Sequence, residues 1–293
     1  MGGIRLKEGK IIRLTGGLYT VVDAKGTCVD LRAAGLFRHH NESPKVGDDV
    51  TLDDDLIRTI KPRRNDLVRP AIANVDQALL VNACKEPEFS FLLLDQFLLL
   101  ILSASVKPVI VISKIDLLTA AELAELKRKL SYYEPFFPVV YVDSLAAFGA
   151  ETMRPYLKGK TSVLAGQTGA GKSSLLNAVD PTQHRATDAI SRALGRGKHT
   201  TRTVELIPFG DGWIADTPGF SSLEFAGIEL ATIQDLYPDF TAIANNCRFN
   251  GCTHVHEPDC AVKAAVAAGT ILPERHYNYL RIREEIKSLK IRY

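Results

Sequence analysis

The sequence predicts a multidomain protein with a small β-barrel at its N-terminus, an α/β domain in the middle and a mostly helical domain at its C-terminus. Three observations predict this fold class. Short alternating strands occupy residues 1–66, apolar strands that end in glycine-rich or charged segments occupy residues 67–224, and a cysteine cluster with two helical segments occupies residues 225–293. A chain of 293 residues is long enough for two or three domains.

The composition is that of an ordinary globular protein. Hydrophobic residues make up 46% of the chain, charged residues make up 24%, and the formal net charge is +2. So small a charge gives no general attraction to nucleic acid, and any RNA contact must come from local basic patches. No apolar run reaches the roughly 18 residues of a membrane span, and the N-terminus lacks a signal peptide's apolar core. The longest leucine-rich stretch, residues 89–102, contains Asp95 and Gln96 and is expected to be a buried helix, not a membrane anchor. We therefore expect a cytoplasmic protein without membrane contact, and we further expect a monomer.

The first part is predicted to be a barrel of the OB type. Alternating apolar residues predict five strands, at residues 10–14, 18–22, 27–31, 49–52 and 56–60. Five short strands fit a small Greek-key barrel, and OB-folds often bind nucleic acid. Basic side chains near one connection and near the barrel exit could meet phosphates, although a solvated rim explains them equally well. They are Arg32, Arg38, His39, His40, Lys61, Arg63 and Arg64.

The middle part begins with a segment that is typical of guanine recognition. The run Val109–Ile112 predicts a strand, and Ser113-Lys114-Ile115-Asp116 stands at its carboxyl end, where α/β sheets bind ligands. The segment is similar to Asn-Lys-x-Asp, in which the Asp accepts from two guanine N–H donors and the Lys stem packs along the base. Ser113 stands in place of the Asn. This replacement is expected to affect how rigidly the loop is held and how tightly the nucleotide binds, more than which base is selected. Residues 139–145 are expected to form the last strand and the loop after it, with Ser144 near the guanine O6.

The phosphate loop Gly166–Ser173 is the most specific motif of the chain. Its eight residues fit G-x-x-x-x-G-K-S, between a predicted strand at 161–165 and a helix. The glycines let backbone N–H groups surround phosphate oxygens, Lys172 supplies a charge, and the Ser173 hydroxyl suits Mg²⁺. The predicted nucleotide contacts here are Gly166, Gln167, Thr168, Gly169, Ala170, Gly171, Lys172, Ser173 and Ser174.

Two later segments are typical of the switches of a GTPase. The basic, hydroxyl-rich stretch 195–203 is expected to supply a threonine to Mg²⁺ and the γ-phosphate, and spacing does not choose between Thr200 and Thr201. Asp216-Thr217-Pro218-Gly219 follows another apolar strand, which suits Asp216 to the magnesium shell and the Gly219 N–H to the γ-phosphate. The predicted magnesium ligands are Ser173, Thr201 and Asp216.

The order of these motifs indicates a circular permutation. In an ordinary GTPase the base-reading motif comes last, whereas here it precedes both the phosphate loop and the Asp-x-x-Gly segment. All the parts are present, so the chain enters the fold at a different point. The middle part is therefore predicted to be a circularly permuted α/β P-loop GTPase. A P-loop ATPase is disfavoured by Asp116.

The C-terminal part is predicted to hold a structural zinc ion. Three of the five cysteines and a histidine lie within 14 residues, a ligand set that can close a tetrahedral site. The predicted ligands are Cys247, Cys252, His254 and Cys260, with His256 as the rival imidazole. Cys28 and Cys84 lie in strand-like runs and are expected to be buried apolar residues. The basic terminal helix that starts at Pro273 could contact RNA, and a solvated face is an equal alternative.

The predicted reaction is in-line attack of water on the γ-phosphate of GTP, with Lys172, Thr201 and His199 as the catalytic residues. Many GTPases carry Gln directly after Asp-x-x-Gly, but Phe220 stands there and cannot orient water. His199 is the candidate for that role; otherwise it is only a mobile loop residue. The alternative function is a nucleotide-binding RNA-assembly factor with little or no turnover.

With these motifs the chain resembles the RsgA (YjeQ-type) family of bacterial, ribosome-dependent GTPases. The resemblance covers nearly the whole chain, including the segment Arg69–Gln77, the permuted motifs and the cysteine cluster, whose four ligands match the family pattern. It implies an OB-fold barrel, a GTPase and a zinc-binding helical domain. It also implies binding to the small ribosomal subunit and its rRNA late in maturation, with hydrolysis of GTP to GDP and phosphate stimulated by the subunit.

Overall fold

The N-terminal part is a closed five-stranded barrel, as predicted. The computed structural model describes residues 7–38, 43–53, 56–68, 70–143, 148–179, 204–215, 225 and 227–290. The barrel strands are β1 (Glu8–Thr15), β2 (Leu18–Val22), β3 (Cys28–Ala33), β4 (Asp49–Asp53) and β5 (Leu56–Ile60), in the order β1-β2-β3-β5-β4. Only the β3–β5 pair is parallel. Alternation along the strands leaves Ile11, Val21, Val50 and Ile57 without exposed surface inside the barrel.

One prediction for this part is wrong. Cys28 is exposed, whereas Cys84 is buried as expected. Cys28 lies on the outward face of β3 together with Asp30 and Arg32, which are exposed too, whereas Leu31 on the other face is buried. The alternation of the strand therefore turns the Cys28 side chain away from the barrel interior.

A short connection leads from the barrel to the central sheet. It contains a two-stranded ribbon of β6 (Asp66–Leu67) and β7 (Ile72–Ala73). The ribbon is tied to the barrel by Arg63, which donates to both carboxylate oxygens of the fully buried Asp48 at 2.7 and 2.8 Å. Charge-assisted, two-pronged bonds of this kind fix direction as well as distance.

The central domain is built on a six-stranded sheet in the order β10-β9-β8-β11-β13-β12. Its strands are β8 (Gln77–Ala83), β9 (Lys107–Ser113), β10 (Val139–Tyr141), β11 (Thr161–Ala165), β12 (Leu206–Phe209) and β13 (Gly212–Ala215). All neighbours are parallel except β12 and β13. Every residue of β8 is buried, so both faces of the sheet are covered there, as is usual for parallel sheets.

Four described helices accompany this sheet: α1 (Phe91–Ser103), α2 (Ala120–Leu130), α3 (Phe148–Leu157) and α4 (Lys172–Val179). The side chain of Ser90 caps α1 by accepting from the Leu93 N–H. Thr119 and Glu122 form a capping box on α2. The leucine-rich stretch that the sequence assigned to a buried helix is α1, whose residues from Leu94 to Ile101 are buried.

The edge strand β12 also touches the barrel. Arg13 in β1 and Glu205, just before β12, form an isolated antiparallel bridge, and their side chains pair at 3.7 Å. The bridge connects the outer edge of the central sheet to the wall of the barrel.

The C-terminal part is helical, with α5 (Pro238–Ala244), α6 (Ala261–Ala267) and α7 (Pro273–Lys290). Gly269 follows α6 in the left-handed conformation (φ +76°), which ends the helix. Tyr237, Phe240 and Tyr279 pack edge to face or stacked, with ring centroids 5.0–5.2 Å apart. Among the described residues, no helix combines the length and apolarity needed to cross a membrane.

A buried ionic cluster joins the C-terminal part to the central domain. Arg275 of α7 is 2% exposed and pairs with Asp95 of α1 and with Asp239 of α5. Asp95 also accepts from Asn278 at 2.8 Å and from the Tyr133 hydroxyl at 3.0 Å. Buried charges persist only when they are paired and hydrogen-bonded, and here each carboxylate has several donors. The cluster therefore fixes α7 against α1.

Candidate nucleotide and metal sites

The phosphate loop lies at the carboxyl end of β11 and leads directly into α4. Gly166 has φ +116°, and a Cβ atom there would lie 2.1 Å from the Val81 carbonyl oxygen of β8. No other residue fits, because the loop must pass so close to the neighbouring strand. The close passage brings the loop over the sheet at the edge where ligands bind in open α/β folds.

Lys172 is buried at the start of α4 and folds back over the loop. Its Nζ donates to the carbonyl oxygens of Gly166 at 2.8 Å and of Gln167 at 2.5 Å. Burial lowers the pKa of Lys172 to about 8. The ammonium group is therefore held by two neutral carbonyl acceptors. Charged phosphate oxygens would be stronger acceptors and would replace them.

The base-reading segment leaves the same edge of the sheet, at the end of β9. Lys114 adopts the left-handed conformation (φ 61°), and a short 3₁₀ helix follows at Ile115–Leu117. The Lys114 ammonium donates to the Glu86 carbonyl, and the Cys84 thiol donates to the Lys114 carbonyl at 2.9 Å. These contacts fix the backbone and leave the Asp116 side chain exposed at the edge of the sheet.

Ser113 differs from its neighbours because its side chain has no exposed surface. Its hydroxyl donates to the Ala170 carbonyl of the phosphate loop at 2.6 Å, and the Asn82 carbonyl lies at 3.3 Å. Ser113 therefore joins the base-reading segment to the phosphate loop.

Sequence reasoning missed the segment after β8, which supports both loops. Glu86 and Cys84 bond to Lys114, and the Cδ atom of Pro87 lies 3.7 Å from the position that a Cβ on Gly169 would take. The available signal was the place of these residues at the carboxyl end of a parallel strand. Six predicted site residues lie outside the described residues: Ser144, His199, Thr200, Thr201, Asp216 and Gly219.

A second group of potential ligands lies in the C-terminal part. The ligand atoms of Cys247, Cys252, His254 and Cys260 lie within 4.8 Å of one another. His254 Nδ1 is 3.3 Å from the Cys260 sulfur and 3.7 Å from the Cys247 sulfur. Tetrahedral zinc, with bonds of about 2.0–2.3 Å, places neighbouring ligand atoms at roughly such separations. The donor set therefore fits a tetrahedral metal ion, whereas His256 is exposed and outside the cluster.

The surroundings of this cluster orient its ligands. Burial lowers the pKa of His254, which favours the neutral imidazole that a metal requires. Tyr279 of α7 donates its hydroxyl to the Thr253 carbonyl at 2.6 Å. Glu257 accepts from the Thr253 and Val255 N–H groups at 2.8 and 2.9 Å, which closes the loop around His254. The four residues could thus hold a metal ion on a preformed scaffold.

Comparison with known proteins gives consistent matches along the chain. The family model described as RsgA GTPase matches residues 60–226, and the RsgA N-terminal domain matches residues 8–56. The small ribosomal subunit biogenesis GTPase RsgA of Shouchella clausii is 45% identical over 98% of this chain and 100% of its own length.

Two solved structures have the same fold over nearly the whole chain. YjeQ from Thermotoga maritima is 34% identical, with a TM-score of 0.84, and the match covers 96% of this chain and 98% of that one. YloQ, described as a circularly permuted GTPase, is 38% identical, with a TM-score of 0.83 and coverage of 99% and 98%. These matches agree with the permuted motif order in the sequence.

Proposed function

The chain belongs to the RsgA GTPase family, and from this premise we propose that it binds the small ribosomal subunit, assists its late maturation and hydrolyses GTP with stimulation by the subunit. One observation carries the nucleotide part of the proposal. The strands before the base-reading segment and before the phosphate loop, β9 and β11, lie on either side of β8. Neighbouring strands are about 4.8 Å apart, so the two loops start roughly 10 Å apart, which suits the two ends of one nucleotide.

The proposed chemistry is attack of water on the γ-phosphate. Backbone N–H groups of Gly166–Ser173 cradle the phosphates, Lys172 neutralises their charge, and Asp116 accepts from the guanine. Magnesium, when bound, neutralises further charge on the β- and γ-phosphates. Its proposed ligands are Ser173, Thr201 and Asp216. Membership in a family of GTP hydrolases favours turnover over simple retention of nucleotide.

His199 is proposed to position the attacking water. His199→Ala should keep its GTP affinity and lose roughly tenfold to a thousandfold in subunit-stimulated hydrolysis, because water positioning matters only in the transition state. His256→Ala, which removes an exposed imidazole elsewhere, is the matched control. A His199→Ala protein that hydrolyses GTP at the parental stimulated rate excludes His199 from the reaction.

The two flanking parts are proposed to contact the ribosome. The barrel and the basic helix α7 supply side chains suited to rRNA phosphates. Cys247, Cys252, His254 and Cys260 are proposed to bind one structural zinc ion, since four protein ligands leave no position open for substrate. We propose that the protein works in the cytoplasm as a monomer.

The decisive experiment measures phosphate release from GTP with and without purified small ribosomal subunits. Small subunits should raise the rate, and large subunits at the same concentration should not. Lys172→Ala should abolish the stimulated rate, because the phosphates lose their cation in the ground state and transition state alike. A rate that small subunits leave unchanged favours the alternative of an assembly factor with little turnover.

A further inference from the structure

A large cavity lies at the edge of the central sheet that is opposite the nucleotide loops. Its volume is about 850 Å³, within the range of pockets that bind small organic ligands. Strands β8 and β9 meet the cavity through their first residues, Gln77 and Lys107, whereas the phosphate loop and the base-reading segment follow carboxyl ends of strands. The seven residues of β8 separate the two edges by roughly 20 Å. The cavity is therefore a separate site that the proposed hydrolysis does not use.

All three parts of the chain border this cavity, which we call the junction cavity. The connection from the barrel contributes Arg64, and the central domain contributes Phe136 and Lys160. The C-terminal part contributes Asp235 and Thr241. Ligand sites are common at such junctions between domains, because concave surfaces form where separate cores meet.

The charges that line the junction cavity favour an anionic ligand. They are three cations and two carboxylates, from Arg64, Lys107, Lys160, Asp76 and Asp235. Asp76 is already engaged, because its carboxylate pairs with Arg64 and accepts from the Thr161 N–H at 2.8 Å. Lys160 donates only to the neutral side-chain carbonyl of Gln77, at 3.2 Å. Within the described part of the chain the Lys107 ammonium has no acceptor, so two ammonium groups lack a paired anion and Asp235 alone opposes them.

An exposed aromatic ring lines the same cavity. Phe136 is 37% exposed, although large apolar side chains are mostly buried in this protein. Its ring centroid lies 6.2 Å from that of Tyr132 and 6.4 Å from that of Phe137, so its neighbours hold the ring in place. A held, exposed ring beside unpaired ammonium groups is the combination that binds nucleotides, because the base stacks on the ring and the cations meet the phosphates.

We propose that the junction cavity binds one unpaired nucleotide of RNA, with its base stacked on Phe136 and its phosphates paired with Lys107 and Lys160. This inference rests on the proposed binding of rRNA and adds a contact to it. Double-stranded RNA does not fit, because its bases are stacked inside the helix. An extended peptide fits less well, since such peptides add a strand to the side of a sheet, whereas β8 and β9 present only their ends here.

The first test measures binding of a fluorescein-labelled single-stranded RNA, about twelve nucleotides long, to the full chain by fluorescence anisotropy. Phe136→Ala should weaken binding roughly five- to a hundredfold, because the base loses its stacking partner. Phe136→Tyr keeps a ring of the same shape and should bind like the parent. The same RNA annealed to its complement should bind Phe136→Ala and the parent equally. A Phe136→Ala protein that binds the single strand like the parent overturns the proposal.

The second test separates a phosphate contact from a structural role. Lys107→Gln should make the affinity for the single strand less dependent on salt, and the slope of log affinity against log salt should decrease by about 0.7. Lys129→Gln is the matched control, because Lys129 is an exposed lysine of α2 outside the cavity (47% of the side chain). Its slope should equal that of the parent. Equal slopes for Lys107→Gln and the parent contradict the phosphate contact.

The third test locates the RNA on the protein. Photocrosslinking with thiouridine in the single strand should mark the peptide that contains Phe136, as read by mass spectrometry. Displacement of the RNA by an equal concentration of AMP would assign the cavity to free nucleotides and overturn the proposal. So would a Phe136→Ala protein that binds intact small subunits more weakly but RNA normally, since its partner would then be a ribosomal protein. Small subunits that do not stimulate hydrolysis by the parent contradict the proposed function instead.

Discussion

Asp116 and Lys172 are both assigned to the nucleotide, but the protein surrounds them differently. Asp116 lies exposed after β9, whereas Lys172 is buried against the phosphate loop. The motifs predicted both residues, because guanine recognition and phosphate binding each require a fixed order of residue types within a short segment. The motifs did not predict their environments, which depend on segments far away in sequence, such as the residues after β8 that hold Lys114. The two environments lead to different tests.

Asp116→Asn should weaken GDP binding and improve relative binding of XDP, the xanthosine diphosphate. The reason is that the new amide can donate a hydrogen bond to the xanthine carbonyl, whereas the carboxylate only accepts. The measurement is competition of GDP and XDP for the same site. Asp211→Asn, in the exposed turn between β12 and β13, should retain parental affinities for both. An unchanged ratio of the two affinities in Asp116→Asn contradicts the assignment.

The affinity for GDP should fall as the pH rises through about 8. Burial lowers the pKa of Lys172 to about 8 in the nucleotide-free protein, and phosphates require the protonated form. Binding must therefore take up a proton above that pH, at a cost of up to about tenfold in affinity per pH unit. Below that pH the lysine is already charged, so the affinity should be constant. The measurement is GDP titration between about pH 6.5 and about pH 9.

The control for this pH dependence is Lys172→Arg, whose guanidinium stays protonated throughout the range. Any GDP affinity that this variant retains should not depend on pH. A flat profile for the parent shows that Lys172 remains charged without nucleotide.

Helix α1 illustrates what could be predicted at the scale of elements. Its leucine-rich sequence predicted a buried helix, and the structure places a helix at Phe91–Ser103. Asp95 excluded a membrane anchor, but its partner could not be predicted. Arg275 is 180 residues away in sequence and shares α7 with the exposed basic residues Arg281 and Lys287. Charge alone does not identify the one arginine that tertiary packing buries.

Arg275→Met should lower the free energy of unfolding by about 3–5 kcal/mol. Methionine fills a similar volume but leaves the carboxylates of Asp95 and Asp239 buried without their cation. Arg248→Met is the control, because the Arg248–Asp259 pair is exposed (62% and 68% of the side chains) and should contribute about 0–1 kcal/mol. Urea titration measures both. Equal losses in the two variants contradict the account of the buried cluster.

The loop that carries Cys252 should depend on metal for its fold. One zinc ion per chain is expected by elemental analysis, and Cys252→Ser should lose the metal and destabilise the C-terminal part, since ligand bonds contribute folding free energy directly. Cys28→Ser, at an exposed cysteine outside the cluster, should retain a full complement of zinc. Metal-free protein with an ordered C-terminal part refutes the proposed site.

For the whole molecule, the sequence predicted the three-part architecture and the permuted order. The five barrel strands were predicted to within one or two residues, because alternation and glycine turns are local signals. The contacts between parts were not predicted, since they join segments without a shared pattern. Arg275 with Asp95 and Arg13 with Glu205 are the main examples. They determine how the three parts are held together.

The bridge between Arg13 and Glu205 has a consequence for solubility. β12 is the outermost strand of the central sheet, and an open edge can recruit a strand from another molecule. Here the barrel wall protects part of that edge, and Pro208 has no N–H to offer an incoming strand. The barrel therefore protects the β12 edge of the central sheet against edge-to-edge aggregation. A central domain produced without the barrel would expose β12 as an open edge strand and should aggregate through it.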